Sequence, residues 1–181
     1  MRLEKEQYEE IKQTVIDTFS EFDIQCIPIS AFELATKMGL TIVPYSSLEM
    51  DKREAAIRIS KDGFSFEPMP GKWLIYYNDE MGNYERVNRT IMHEIGHYAL
   101  GHTKTGSIEE AEANFFAKYA LTPPPLVHTL GVVINVTSIK RAFRVSHRAA
   151  SYAYKYYKRW LNADDEYTDY ELQLLQLFKV A

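Results

Sequence analysis

The chain has 181 residues, of which 46% are hydrophobic and 25% charged, enough apolar material for one globular domain with a real core. No stretch approaches the roughly 18 uninterrupted apolar residues of a membrane span, so an integral helical membrane protein is excluded. The net charge of −4 is unevenly spread: Ala113 to Ala163 contains no Asp or Glu and carries +8, leaving −12 on the rest.

The first predicted element is an amphipathic helix over about Glu4–Ser20, with Tyr8, Ile11, Val15 and Phe19 at spacings of three and four. Ser30 can cap a short second helix with Phe32, Ala35 and Met38 on one face, and Gly39 stops it before the β-type run Leu40–Val43. Alternation in Ala56–Ile59 and Phe64–Phe66, then the β-formers Trp73–Tyr77 after a Pro70-Gly71 turn, predict three or four strands of a small, mostly antiparallel sheet. From about Asn83 the period becomes helical through Val87, Ile91, Ile95 and Ala99, and Gly101 ends the run. Ser107 and Glu110 have capping-box spacing at the start of the next helix, which Pro123-Pro124-Pro125 closes. Only helices are predicted beyond: a short one around Ile139–Phe143, a break at Val145-Ser146 with Ser146 as cap, a tyrosine-rich one over Arg148–Leu161, and a last one after Thr168 and Glu171, burying Leu172, Leu175, Leu177 and Phe178.

A single cysteine, Cys26, cannot close an internal disulfide or build a cysteine cluster, so any metal site falls to histidine and carboxylate ligands. His93-Glu94-Ile95-Gly96-His97 lies inside the predicted helix, where two histidines four apart share a face and can reach one zinc ion. Glu94, about 100° round the same turn, is placed as a general base toward a water whose pKa zinc can bring to about 7. The longer motif with a third histidine fails, because Leu100 and Thr103 stand where it needs Gly and His. On a continuing helix His102 would point about 140° from His97, which makes it a helix-end residue. A turn joining two antiparallel helices would bring Glu112 level with His97, so Glu112 is the expected third ligand. Glu109 shares that face and is the runner-up, while Glu110 is assigned to the cap.

These residues, together with Glu110-Ala111-Glu112-Ala113-Asn114-Phe115-Phe116-Ala117 and Leu121-Thr122-Pro123, resemble the ImmA/IrrE family of zinc metallopeptidases. The resemblance takes in the strand Trp73–Asn78 and the segment Ile29–Val43, covering roughly residues 28–125. It implies that the Glu before Ala-Asn, here Glu112, is the third zinc ligand. It also implies a bacterial or mobile-element regulator that cleaves a helix-turn-helix repressor. Thr122 stands where the family usually has Met, at a position with no catalytic part. Ala142–Ala150 is similar to the helix, Val-Ser turn and helix that follow the peptidase core, a helix-turn-helix-like arrangement.

The basic helices suit three uses: completing the core with a solvated basic face, docking a protein partner, or weak contact with nucleic acid. The four tyrosines Tyr152, Tyr154, Tyr156 and Tyr157 compete for the same helix surface. His128 and His147 have no partner visible in sequence.

The sequence therefore predicts an α+β fold: a zincin-like metallopeptidase domain over residues 1–125, with a small sheet and the H-E-x-x-H helix, followed by an all-helical subdomain over 126–181. The expected activity is that of a zinc-dependent endopeptidase, with His93, His97 and Glu112 on Zn²⁺ and Glu94 as catalytic base. A metal-binding or DNA-binding regulator that does not cut is the alternative. The mixed-charge start Met1–Glu6 leads into no apolar run, so the expected compartment is the cytoplasm.

Overall fold

Helix α1 (Lys5–Glu21) starts where Glu4 and Gln7 form a reciprocal capping box, and it buries Ile11, Val15 and Phe19 as the periodicity requires. The structure, a computed structural model, describes residues 3–80, 83–104, 106–163 and 166–180; Met1 and Arg2 of the mixed-charge start lie outside them. Ser30 caps α2 (Ala31–Lys37), its hydroxyl accepting the Glu33 N–H at 3.3 Å. The chain then enters β1 (Thr41–Pro44).

Three strands form one sheet in the order β1-β3-β2, with β2 spanning Gly63–Met69 and β3 spanning Lys72–Tyr77. The tight turn at Pro70-Gly71 forces β2 and β3 to be antiparallel, with Gly63 opposite Tyr77. β1 lies on the other side of β3 and runs parallel to it, Thr41 opposite Leu74, which a helical excursion between β1 and β2 permits. The sheet is therefore mixed rather than mostly antiparallel, and β2 is left as an edge.

The helical excursion is α3 (Met50–Ile59), and it corrects the strand expected over Ala56–Ile59. Asp51 sits in the first turn and Arg58 in the last, Lys52 pairs with Glu49 and Arg58 with Glu54, and Ala55 and Ala56 favour helix. Only Ala56 is buried, so the alternating Ile57 and Ile59 face no sheet partner.

The segment that carries His93 and His97 is α4 (Tyr84–Ala99), followed by α5 (Ser107–Leu121). Pro124 and Pro125 then open α6 (Pro124–His128), where their missing N–H groups are no loss. After α7 (Val136–Phe143) comes a left-handed turn at Arg144, whose guanidinium lies 4.5 Å over the Tyr84 ring and ties the turn to the start of α4. Ser146 caps α8 (His147–Leu161), and a Thr168–Glu171 capping box starts α9 (Asp169–Leu177). Leu174, Leu175 and Phe178 of this last segment are buried; Leu172, expected inside, is exposed. One hydrophobic cluster runs from Leu3 to Phe178, with α9 packed on α1 through the Phe19 and Phe178 rings 6.2 Å apart. Among the described residues no helix is long and apolar enough to cross a membrane.

Two buried polar or small groups set where α4 sits. Asn88 accepts the Ala31 N–H at 2.7 Å and donates to the Ile29 carbonyl at 3.0 Å, locking the entry of α2 onto α4. Gly96 lets α5 approach: a β-carbon there would meet the Phe116 ring and Cβ at 3.1–3.2 Å. Replacing Gly96 by Val should wedge the two helices apart and cost about 1–3 kcal/mol. Thermal unfolding should show a midpoint several degrees below wild type; an unchanged midpoint would mean that the helices do not depend on this contact.

Candidate metal centre

Asn83 starts α4 by accepting the Arg86 N–H at 3.1 Å, and burial of Val87, Ile91 and Ile95 fixes the helix rotation. That rotation turns His93 and His97 toward α5, their Nε2 atoms 3.2 Å apart. Leu100 is the last residue before Gly101, which adopts φ +67° and reverses the chain. The Gly101 N–H bonds to the Tyr98 carbonyl and the His102 N–H to the His97 carbonyl, both at 3.0 Å, the paired bonds of a Schellman motif.

This reversal overturns the expectation that His102 points away from the site. Its Nδ1 is 2.9 Å from His97 Nδ1, and its Nε2 is 3.0 Å from Glu112 Oε2. Gln7 of α1 donates to the other Glu112 oxygen at 2.9 Å. The carboxylate only accepts, so His102 carries its proton on Nε2; its Nδ1 then accepts from His97 Nδ1–H. The chain of bonds leaves His97 Nε2 as a free lone pair.

On α5 the Ser107–Glu110 capping box does not form. Gly106 is the cap residue and Ser107 the first helical residue, so Glu110 is released into the interior of the helix. Glu110 and Ala113 lie on the face that meets α4: the Ala113 backbone lies beside His93, and Phe116 lies against Gly96. Glu110 reaches His93 Nε2 and His97 Nε2, each at 3.4 Å. Glu112 follows the other face, with Phe115, whose ring is 4.6 Å from Tyr8 of α1. The structure thus brings together His93, His97 and Glu110, and it places Glu112 behind them on His102. Glu109 lies near Gly106 and 3.8 Å from Lys104 and is not one of the three converging groups.

The ligand atoms of His93, His97 and Glu110 lie within 4.8 Å of one another. The two Nε2 atoms are 3.2 Å apart, near the ~3.3 Å edge of a tetrahedron around an ion bound at about 2.0–2.1 Å, and each lies 3.4 Å from a different oxygen of the Glu110 carboxylate. Two imidazoles and a carboxylate also form a donor set of the type that catalytic zinc takes, with a fourth position open. Burial, reinforced by His97 and Arg89, pushes His93 down to about 4, and burial lowers His97 as well, so both imidazoles are neutral near pH 7 and offer lone pairs. His93 Nδ1 is buried beside the Ala113 backbone but outside hydrogen-bond geometry.

Glu94 is 6% exposed, and burial, with a contribution from Glu110, raises it to about 7. The Ser65 hydroxyl of β2 donates to Glu94 Oε2 at 2.7 Å and favours the ionised form against that burial. Sequence reasoning gave Ser65 no role, since nothing in a short alternating strand marks which residue meets α4. The histidines and Glu94 open into a cleft of about 900 Å³ whose far wall is β2, from Gly63 to Glu67, with Trp73.

The family model for Peptidase_M78, the IrrE N-terminal-like domain, matches residues 37–155. The chain belongs to this family. The IrrE N-terminal-like match runs from the end of α2 into α8, so it takes in the sheet, both site helices and the Ser146 turn. Membership makes this a chain of a peptidase, hence hydrolase, family whose members are metal-dependent, and the His93, His97 and Glu110 group is the candidate metal site. No curated protein matches the chain.

The raised Glu94 gives a signed pH dependence. An unfolded Glu ionises near 4.5 and the folded one near 7, so the folded state holds more protons between these values and loses stability as pH rises through them. The interval corresponds to about 3 kcal/mol. Glu94→Gln removes this loss, so in chelator-treated protein the variant should gain stability over wild type at pH 8 and little at pH 5. Paired denaturant titrations at the two pH values measure the difference, and a gain equal at both would contradict the raised Glu94.

Proposed function

We propose that the protein is a zinc-dependent endopeptidase, with His93, His97 and Glu110 as metal ligands and Glu94 as general base. The convergence of two imidazole nitrogens 3.2 Å apart on the Glu110 carboxylate, each 3.4 Å from one of its oxygens, beside the buried Glu94 carries this reading. Glu110 replaces the Glu112 that the sequence suggested as third ligand. Glu112 and His102 become the groups that orient His97.

A zinc ion held there supplies Lewis-acid polarisation of a peptide carbonyl and lowers the pKa of the attacking water. The rest falls to the chain. Glu94, near neutrality in proton affinity, takes a proton from that water and can return it to the leaving amide nitrogen. Ser65 holds the Glu94 carboxylate in place through this exchange. β2 is an edge strand along the cleft, so an extended peptide can pair with it and present its carbonyl at the histidines. On this reading the core is zincin-like. The ImmA/IrrE resemblance makes a helix-turn-helix repressor the first substrate to test, in a cytoplasmic setting.

Purified protein should bind about one zinc per chain. Glu110→Ala should lose stoichiometric zinc, whereas Glu112→Ala should keep it with affinity weakened about 10–100-fold, as orienting partners do. Glu94→Gln should retain zinc and lose cleavage of the repressor. Chelator competition and a co-incubation gel measure all three; zinc lost with Glu112 and kept without Glu110 would return the ligand to Glu112, and an active Glu94→Gln would remove the base.

A further inference from the structure

A second cavity, of about 570 Å³, lies between α4, α5 and the start of α8. Arg86, Arg89, Lys118 and Arg148 line it, with Glu85 as the one acidic group among the described lining residues. Arg86 is neutralised by Asp62 from outside the cavity. Among the described residues no carboxylate pairs with Arg89, Lys118 or Arg148; Arg89 donates only to the neutral Asn114 amide, at 2.8 Å, and Lys118 rests 4.6 Å over the Tyr152 ring. The lining thus keeps a net excess of two positive charges after Glu85. Burial lowers Lys118, and Arg89 and Arg148 lower it further, so the three cations repel one another across the space. Arg89 also lines the cleft at the metal site, which makes the two cavities neighbours along α4.

We propose that this cavity binds an acidic segment of the polypeptide being cut, with a carboxylate seated among Arg89, Lys118 and Arg148. The identity of the segment rests on the peptidase reading; the binding itself does not. From His93 back to Arg89 is four helical residues and from Glu110 on to Lys118 is eight, about 6 and 12 Å along the helix axes, which an extended peptide covers in about two to four residues. The acidic residue therefore lies about two to four residues from the cleaved bond. Concave placement favours a peptide over duplex DNA, because the cations ring a pocket walled by α4 and α5 instead of lining a helix free to enter a groove. A volume in the usual range for ligand sites suits a short segment with its side chains.

Anisotropy of a fluorescein-labelled octaglutamate peptide, titrated at low salt with the full chain after EDTA treatment, tests the proposal. Lys118→Glu with Arg148→Glu should weaken binding by about tenfold or more. Lys155→Glu with Arg159→Glu makes the same charge change on α8 outside the cavity and should alter binding by less than about threefold. Lys118→Gln with Arg148→Gln gives a gentler pair should the reversal impair folding, and Lys118→Arg should bind as wild type. Absence of wild-type binding, or equal losses in the two reversed pairs, overturns the proposal. Inorganic phosphate or a 20-base-pair duplex that displaces the peptide and loses its own binding with Lys118 and Arg148 overturns the acidic-peptide assignment in favour of that ligand. Because the measurement is made without metal, intact peptide binding in a protein that takes no zinc would sink the peptidase reading alone.

Discussion

The contact of Phe116 with Gly96 sets the distance between the two helices that carry the candidate metal ligands. Two histidines on α4 cannot complete a metal site by themselves; a third donor has to come from a helix close enough for a short carboxylate to reach both imidazoles. A residue without a side chain at position 96 allows that approach, and Asn88 holds α4 from the other side through the Ile29 and Ala31 backbone. The sheet contributes by supplying β2 as the opposing wall and Ser65 as the partner of Glu94.

Burial then decides protonation. It keeps His93 and His97 neutral, which a ligand needs, and lifts Glu94 toward neutrality, which a proton carrier needs. The same low-polarity setting would leave the tautomer of His97 undetermined without the bonds running from Glu112 through His102. Gln7 anchors the far end of that chain on α1, so the N-terminal helix supports the site from a distance in sequence of about a hundred residues.

Periodicity carried much of this into view. The stripe of Val87, Ile91 and Ile95, the Ser30 and Ser146 caps and the capping box at Thr168 are local, and local signals were legible. The α+β class was legible too, although the parallel pairing of β1 depends on a connection that no strand pattern encodes. Ile57 and Ile59 imitated a strand because alternation cannot tell a half-buried sheet face from an exposed helix flank. His102 was misjudged by extending the α4 helix past Gly101, although a glycine there is itself the signal for a left-handed reversal. Glu112 was favoured because a simple antiparallel helix pair sets it level with His97, and Glu110 was assigned to a Ser107 cap; the cap is Gly106, and Glu110 lies on the face that meets α4. The two glutamates lie about 200° apart on a helix, so only one of them can face the histidine pair.

Diffraction from crystals of zinc-loaded protein at energies on either side of the zinc absorption edge would locate the ion without reference to activity. The account predicts one anomalous peak about 2.0–2.1 Å from His93 Nε2, His97 Nε2 and a Glu110 oxygen, with His102 and Glu112 behind His97. A peak coordinated by Glu112 or His102 in place of Glu110 would contradict it.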